Sequence, residues 1–281
     1  MNKSEILKIL EQFEVTPGKH FGQNFMIDEN LLDFICRTAN PAKDDNIIEV
    51  GPGLGALTRK LLDGGAKVTA IEIDKRLSEY LEKNITHPNF KLVRGDACRL
   101  NLSYHAQGEF RIVANLPYSI TSPFIGRMID LETPPHEMLF MLQKETGLRL
   151  AAGPGTKNYG SLSVRVQSVY QVEYLRGISP QVFYPPPEVD SAIVKFIRRK
   201  EYPSMAERAV LFNLVRTAFS QRRKKMFKQV VAVFGNEAIE KAYSSLGINP
   251  NARAEELTVK QFVAMGKMLS NSRQSSVDSR Q

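Results

Sequence analysis

Short apolar runs alternate with amphipathic segments over the first two thirds of the chain. Five apolar runs of strand length lie at 46–50, 67–73, 90–96, 110–116 and 137–143. Segments with apolar residues at helical spacing separate several of them, at 57–65, 75–84 and 122–131. Strands that alternate with helices are typical of βαβ units. The pattern therefore predicts an α/β fold with a parallel sheet covered by helices on both faces.

The flanking regions carry other patterns. The N-terminal 45 residues predict helices around a Gly-containing loop, and Asp28 is the expected N-cap of one of them. Segment 161–178 fits either a helix or a strand, and 191–199 predicts a late strand. Helical spacing alone then continues, at 204–219, 222–234, 237–246 and 257–269. We expect one domain over 1–200, a small all-α domain over 201–269 and, because the end is polar, a disordered tail over 270–281.

Composition narrows the class of protein. The chain has 281 residues, of which 42% are hydrophobic and 24% charged, as in ordinary globular proteins. Its apolar runs fall short of the ~18 residues that a membrane span needs, and the N-terminus lacks the continuous apolar core of a signal peptide. Cys36 and Cys98 stand far apart, which favours neither a disulfide framework nor a metal site. We expect a monomeric cytoplasmic protein without a metal.

The positive charge is concentrated in one segment. Between Arg198 and Lys228 there are ten Lys or Arg and two acids, which accounts for the whole net charge of +8. The remainder of the chain is balanced. Charge confined to one segment favours a polyanionic partner over a merely solvated surface. Within it, "FSQRRKKMFKQV" holds Arg222, Arg223, Lys224 and Lys225 at the predicted start of a helix, where they could contact RNA phosphates.

A glycine-rich turn follows the first apolar strand, in "EVGPGLGALT". Gly51, Gly53 and Gly55 allow close approach of backbone N–H groups to a ligand at a helix N-terminus. Glu72, at the end of the next strand, could accept both hydroxyls of a ribose. The turn also fits the loose pattern of NAD-binding proteins. Glu49 argues against NAD, because a carboxylate beside a pyrophosphate is unfavourable whereas one beside a sulfonium or ammonium is favourable.

The fourth strand ends in "NLPY", and this motif lacks a nucleophile or a strong base. The Asn115 side-chain oxygen and the Leu116 carbonyl could both accept from an amino group, and Pro117 restricts the direction of that carbonyl. Tyr118 offers a ring on which a base could stack. Two acceptors on one NH₂ favour attack by its lone pair on a sulfonium methyl, so catalysis would depend on orientation and electrostatics. Asp96, after the third strand, could accept from the adenine amine of such a cofactor.

These motifs together resemble the bacterial small-subunit rRNA adenine N6,N6-dimethyltransferases. The resemblance rests on "GQNF", "EVGPGLGALT", "IEID", "GDA", "NLPY", "MLQKE" and "FYPPPEVDSA", in this order, and extends from about Thr16 to Phe262. It implies a Rossmann-like class I methyltransferase domain, a helical C-terminal domain and S-adenosyl-L-methionine as cofactor. Two positions depart from the family pattern: Met26 replaces a commoner Leu, and Gly147 follows "QKE", where we expect a local kink.

The resemblance also implies roles for individual residues. Asn115, Leu116, Pro117 and Tyr118 match the catalytic motif, and Phe183 matches an aromatic that stacks on the target base opposite Tyr118. The cofactor site would comprise Gln23, Asn24, Phe25, Glu49, Gly51, Gly53, Gly55, Glu72, Ile73, Asp96, Ala97 and Asn115. The glycines would contact the methionine moiety, Glu72 the ribose and Asp96 the adenine.

The function that these expectations favour is dimethylation of two adjacent adenines near the 3′ end of small-subunit rRNA, within a pre-ribosomal particle. A large-subunit rRNA adenine methyltransferase would share the same chemistry. A non-catalytic assembly factor is the third reading, and the intact "NLPY" motif counts against it. An NAD enzyme is the weakest, because no residue is placed for hydride transfer and the basic segment would have no role.

Overall fold

The computed structural model of the chain describes residues 3–15, 23–106 and 108–278, with side chains to Ser272. Most of the predicted N-terminal loop, 16–22, lies outside them. The described α-helices are Lys3–Gln12 (α1), Glu29–Ala39 (α2), Ala56–Asp63 (α3), Lys75–Asn84 (α4), Leu102–His105 (α5), Thr121–Asp130 (α6), Lys144–Leu150 (α7), Ser161–Gln167 (α8), Met205–Ala218 (α9), Phe227–Phe234 (α10), Asn236–Leu246 (α11) and Val259–Asp278 (α12). The described strands are Phe25–Met26 (β1), Asn46–Val50 (β2), Lys67–Glu72 (β3), Phe90–Arg94 (β4), Arg111–Asn115 (β5), Glu137–Gln143 (β6), Tyr170–Ile178 (β7), Phe183–Tyr184 (β8) and Ser191–Arg198 (β9).

Seven of these strands form one mixed sheet in the order β4-β3-β2-β5-β6-β9-β7. Strands β2 to β6 are parallel, and β9 runs antiparallel to β6. Helices cover both faces, as the sequence pattern predicts. The strand order reverses between β2 and β5, and ligands of open α/β sheets bind at the carboxyl ends of strands on either side of such a point.

The central strands are apolar on both faces because both faces are covered. Ile48 in β2, Ile112 in β5 and Phe140 in β6 are almost fully buried. This burial explains why these strands read as continuous apolar runs rather than as alternating ones. Asp28 caps α2 as expected, since its carboxylate accepts from the Leu31 N–H at 2.8 Å.

A separate two-stranded sheet joins distant parts of the sequence. Strands β1 and β8 are antiparallel, with Phe25 opposite Tyr184 and Met26 opposite Phe183. The Ile27 N–H donates to the Val182 carbonyl at 2.9 Å, which extends the pairing. The "NFM" motif and the "FYPPP" motif are therefore held together by main-chain hydrogen bonds.

The chain divides into two compact units. The first comprises 1–127, 135–147 and 173–197, and the second comprises 128–134, 148–172 and 198–281. The second unit has its own apolar core, which includes Leu214, Val215, Phe262 and Met265. The division at 198 lies close to the expected boundary at 200, but two earlier segments also belong to the second unit. The domain limits 1–200 and 201–269 therefore stay a prediction.

The structure corrects the predicted start of one helix in the second unit. Arg222, Arg223 and Lys224 lie in a turn, and α10 begins only at Phe227. Lys225 forms an isolated β-bridge with Arg253, and the Met226 N–H donates to the Ala252 carbonyl. These main-chain contacts keep residues 222–226 in a non-helical conformation. Helix α12 extends to Asp278, and the disordered tail over 270–281 stays a prediction.

The departure at Gly147 has a packing reason. Helix α7 continues through Gly147, and the local kink stays a prediction. A Cβ at this position would lie 3.0 Å from Val194 Cγ2 and 3.3 Å from Leu142 Cδ1. Glycine therefore permits α7 to approach β6 and β9 closely.

Candidate active site

The glycine turn and the "NLPY" motif meet where the strand order reverses. Gly51 follows β2, and Asn115 ends β5, which is the neighbouring parallel strand. A Cβ placed on Gly51 would lie 3.9 Å from Pro117 Cδ and 4.0 Å from the Asn115 carbonyl oxygen. The two motifs are therefore in van der Waals contact, although 64 positions separate Gly51 and Asn115 in the sequence.

Gly53 shows why this turn needs glycine. Its φ is +59°, a conformation that side chains disfavour, and an added Cβ would lie 3.2 Å from the Phe25 ring. Its N–H donates to Glu72 Oε2 at 3.3 Å. Gly53 thus lies between the N-terminal "NF" motif and the acid at the end of β3.

Glu72 is fixed from two sides. Besides the Gly53 contact, its Oε1 accepts from the Asp74 N–H at 2.9 Å. Burial raises the pKa of Glu72 to about 7, although these hydrogen bonds lower it in part. Asp74 Oδ2 in turn accepts from Gln23 Nε2 at 2.9 Å. Sequence reasoning did not single out Asp74, whose carboxylate links Gln23 to the end of β3.

Glu49 is a buried carboxyl without full hydrogen bonding. It is only 2% exposed, and its Oε2 has no hydrogen-bond partner in the described part of the chain. Burial raises the pKa of Glu49 to about 8, and the nearby Glu72 carboxyl contributes in the same direction. The group lines a small cavity of about 60 Å³ together with Ile6, Asn24 and Asn115. Ile6 belongs to α1, which sequence reasoning did not connect with the site.

A larger cavity of about 270 Å³ collects most of the predicted cofactor residues. Its walls include Gln23, Asn24, Phe25, Gly51, Gly53, Glu72, Ile73, Asp96, Ala97, Asn115 and Pro117. Leu77, Ser119 and Ile120 also line it and were not expected. Gly55 lies apart from these walls, because it packs against Leu81 and Ile85 at the start of α3. Asp96 Oδ1 accepts from the Cys98 N–H at 2.8 Å, which fixes that carboxylate at the cavity edge.

The side chain of Asn115 has a defined orientation. Its Nδ2 donates to the main-chain carbonyl of Asn24 at 3.1 Å. The Oδ1 atom therefore faces away from that carbonyl and accepts no hydrogen bond from any residue that the structure describes. Leu116 is buried, and its N–H donates to the Met141 carbonyl at 3.0 Å, so the motif is anchored to β6. The arrangement can present an amide oxygen to an amino group.

The two aromatic residues of the predicted base site have different environments. Tyr118 begins a short 3₁₀ turn, Tyr118–Ile120, and its hydroxyl lies 2.7 Å from Ser191 Oγ. Phe183 is only 3% exposed and packs in the core of the first unit. Its side chain is covered by that core, and its stacking on the target base stays a prediction.

The basic groove, as we name it, belongs to the second unit. It includes Arg223, Lys224, Lys225, Phe227, Lys228 and Arg253. Arg222 does not line it, because its Nε donates to Glu255 at 2.6 Å and its Nη2 to the Thr156 carbonyl at 3.2 Å. Lys225 Nζ donates to Asn251 Oδ1 at 2.7 Å. Of the four predicted phosphate contacts, Arg223 and Lys224 are exposed and have no side-chain partner among the described residues.

The described residues contain neither a cluster of metal ligands nor a membrane-spanning helix. No group of three or more His, Cys, Asp or Glu side chains in the described ranges is arranged to hold a metal ion. Cys36 and Cys98 are both free thiols. None of the described helices is both long and apolar enough to cross a membrane.

The strand order, the antiparallel β9 and the cavity at the switch point define a class I methyltransferase. A dimethyladenosine transferase from Plasmodium falciparum is similar, with a TM-score of 0.74 and 26% identity over 86% of this chain and 95% of that one. The 23S rRNA methyltransferase ErmE has a TM-score of 0.68 and 27% identity over 88% of this chain and 99% of that one.

Sequence comparison identifies the family within this class. The profile of the ribosomal RNA adenine dimethylase family matches residues 16–271. A protein of Geobacillus sp. (strain WCH70) named ribosomal RNA small subunit methyltransferase A is 38% identical over 93% of this chain and 94% of its own length. One of that name from Pseudomonas fluorescens is also 38% identical, over 93% and 97%. The chain belongs to the ribosomal RNA adenine dimethylase family, and it is an rRNA adenine methyltransferase.

Proposed function

We propose that this enzyme transfers methyl groups from S-adenosylmethionine to N6 of two adjacent adenines near the 3′ end of small-subunit rRNA, each adenine being methylated twice. One observation carries the proposal. The amide of Asn115, oriented by the Asn24 carbonyl, lines the same cavity as Glu72 and Asp96. A group that can bind an adenine amine is thus beside groups that can bind a nucleoside cofactor.

The residues of the site fit S-adenosylmethionine. The buried Glu49 Oε2 lacks a partner, and a cationic ligand group would supply one. Glu72 lies at the end of β3, where an acid accepts from ribose hydroxyls, and Asp96 would accept from the adenine amine. Ile73 is exposed at the cavity and offers an apolar surface to a flat ring. When bound, the cofactor supplies an electrophilic methyl group on a sulfonium.

The protein's own task is to orient the target amine. Asn115 Oδ1 and the Leu116 carbonyl accept its two N–H groups, which turns the nitrogen lone pair towards the methyl donor. A strong base is unnecessary, because the methylated aminium is acidic and loses its proton readily. Orientation and electrostatic complementarity of this kind account for large rate enhancements. In the second transfer only one N–H remains, so one acceptor is left without a donor.

The target base needs a surface on which to rest. Tyr118, in the short turn that follows β5, supplies a ring for this purpose. Phe183 would join it only after its ring leaves the core, since it is 3% exposed. Because β8 pairs with β1, such a movement would also affect the strand that follows Asn24.

The basic groove supplies the contact with rRNA outside the active site. Arg223, Lys224, Lys228 and Arg253 line it, and cations of this kind neutralise phosphates without reading sequence. We infer that the enzyme acts as a monomer on a pre-ribosomal particle in the cytoplasm. The names of the similar bacterial proteins support the small subunit as substrate.

Methylation of large-subunit rRNA would use the same active site, and the likeness to ErmE keeps it as the second candidate. The names of the bacterial relatives disfavour it. Isolated small subunits, isolated large subunits and naked rRNA, each offered with labelled cofactor, separate the two. We expect label in an immature small subunit; label confined to large subunits would contradict the proposal. Absence of cofactor binding in calorimetry would instead favour a non-catalytic assembly factor.

A further inference from the structure

The hydroxyl of Tyr118 makes its hydrogen bond with a buried serine. Its oxygen lies 2.7 Å from Ser191 Oγ, and Ser191 is 0% exposed. Desolvation raises the pKa of the Tyr118 phenol, so the group stays neutral and keeps its proton near pH 7. The bond therefore joins two neutral hydroxyls at a partly buried position, where competition with solvent is reduced.

Ser191 is held in a fixed position. It is the first residue of β9 and lies opposite Gln143, the last residue of β6. Asp190, the preceding residue, is attached to Lys144, which begins α7 directly after β6. The Lys144 N–H donates to the Asp190 carbonyl, and Lys144 Nζ lies 3.0 Å from Asp190 Oδ2. The hydroxyl of Ser191 is thus presented by two strands of the central sheet rather than by a loop.

The main chain of Tyr118 is fixed as well. The Pro117 carbonyl accepts from the Ile120 N–H at 3.1 Å and from Thr121 Oγ1 at 3.2 Å, which closes the turn that begins at Tyr118. A tyrosine ring has two side-chain torsions. With the Cα placed by the turn, the position of the hydroxyl fixes the first torsion and hence the direction of the ring axis. The second torsion turns the ring about that axis without moving the oxygen, and the preference of a phenolic O–H for hydrogen bonds in the ring plane restrains it.

We propose that Ser191 is a positioning residue for methyl transfer, because it fixes the position and restrains the rotation of the ring against which the target adenine stacks. The inference rests on the proposed role of Tyr118 in holding that adenine. A base that rests on a correctly oriented ring keeps its amine in line with Asn115 and the methyl donor. Small misplacements of a reacting group cost large factors in rate. Binding of the rest of the RNA does not involve Ser191, so its contribution belongs to kcat rather than to KM.

A double-mutant cycle tests this coupling. Ser191→Ala and Tyr118→Phe each remove one partner of the bond, and the double variant removes both. We expect each single variant to lower the single-turnover rate on small subunits about tenfold, with KM changed less than twofold. The double variant should be no slower than either single variant, because the bond is already lost in each. Independent, multiplying effects would overturn the inference, and so would unchanged rates or an effect confined to KM.

Two further variants serve as controls. One distinguishes a specific effect of Ser191 from general destabilisation, and the other tests the role of Tyr118 independently of Ser191. Ser168→Ala removes another buried hydroxyl, which donates to the Arg165 carbonyl at 2.7 Å in the second unit, and it should lower Tm without changing kcat. If it lowers kcat as Ser191→Ala does, the effect is general destabilisation and the inference is wrong. Tyr118→Ala removes the ring itself. Full activity of Tyr118→Ala would refute the role of Tyr118, whereas an inactive Tyr118→Ala beside unchanged Ser191→Ala and Tyr118→Phe would refute only the role of Ser191.

Discussion

Asn115 Nδ2 donates a hydrogen bond of 3.1 Å to the main-chain carbonyl of Asn24, 91 positions earlier in the sequence. This bond orients the amide so that its oxygen, not its nitrogen, is left for a substrate amine. It also makes the end of β5 dependent on the segment that leads into β1. The catalytic motif and the N-terminal motif therefore form one structural unit.

Replacement of Asn115 by Asp tests the importance of this orientation. Asn115→Asp keeps the size of the side chain but places a carboxylate oxygen against the Asn24 carbonyl, so the two acceptors repel each other. We expect kcat to fall by roughly 10²–10³, the usual cost of losing one preorganised group. Calorimetry with S-adenosylmethionine is the control, and it should show that the cofactor still binds. A rate within threefold of the wild type would contradict the assigned role.

The buried Glu49 predicts a pH dependence of stability without cofactor. Its pKa is about 8 in the folded protein against an ordinary 4.5, so the folded state binds an extra proton between these values. The contribution of Glu49 to the free energy of unfolding is therefore largest below pH 4.5, and it is lost as the pH rises towards 8. Glu49→Gln removes this loss, and we expect it to exceed the wild type by roughly 2 kcal/mol or more at pH 8 and by little at pH 5. Urea unfolding at both pH values measures the difference. A pH-independent difference would refute it.

Proton release on cofactor binding is a separate consequence of Glu49. A cationic ligand beside this carboxyl lowers its pKa, so the group loses a proton when the ligand binds near pH 7. The binding enthalpy of S-adenosylmethionine should therefore differ between phosphate and Tris buffers at the same pH. Glu49→Gln should release fewer protons and bind more weakly. Equal buffer dependence in both proteins would show that Glu49 does not face the cofactor's charge.

Gly53 predicts a loss of cofactor affinity from a single methyl group. Gly53→Ala strains a left-handed backbone and places a Cβ about 3.2 Å from the Phe25 ring. We expect about 1–2 kcal/mol of destabilisation, together with roughly tenfold weaker cofactor binding. Gly108→Ala is the matched control, because Gly108 also has a positive φ but open space around it. It should share the strain and keep the affinity; equal losses of affinity would contradict the close-approach argument.

Substitutions of neighbouring cations in and beside the basic groove should affect RNA binding to different extents. Arg223→Glu and Lys224→Glu should each weaken RNA binding and reduce the slope of log K against log salt by about 1. Arg222→Ala should mainly lower the Tm, because Arg222 is paired with Glu255. Lys241→Glu, on the exposed face of α11, makes the same charge change outside the groove and should have little effect on the slope. Equal slopes for Lys224→Glu and Lys241→Glu would exclude a specific contact.

Much of the fold follows from the sequence because its signals are local. Strands β2 and β6 begin and end where the apolar runs do, and the Asp28 cap is a short-range hydrogen bond. The start of α10 could not be placed, since it is set by pairing of Lys225 with Arg253, 28 positions later. The ambiguity of 161–178 has a different origin: the segment contains both α8 and β7, so neither the helical nor the strand period continues through it.

The sequence predicts which residues belong to the site better than it predicts the hydrogen bonds between them. The turn, the acids and "NLPY" have sequence signatures, and most of the predicted cofactor residues line one cavity. The Asn24–Asn115 bond uses a main-chain carbonyl, and the Tyr118–Ser191 bond joins residues 73 positions apart, so neither leaves a pattern in sequence. The burial of Phe183 depends on the pairing of β1 with β8. Each of these strands has only two residues, which is too short to give a recognisable sequence pattern.

The central claim is that Asn115 orients an adenine N6 amine of small-subunit rRNA for methyl transfer. Mass spectrometry of small subunits treated with S-adenosylmethionine and either wild-type protein or Asn115→Ala tests it most directly. The account predicts two adjacent dimethyladenines near the 3′ end with the wild type, and a loss of at least 10²-fold in rate with the variant. Unmodified adenines after treatment with active wild-type protein, or full dimethylation by Asn115→Ala, would contradict it.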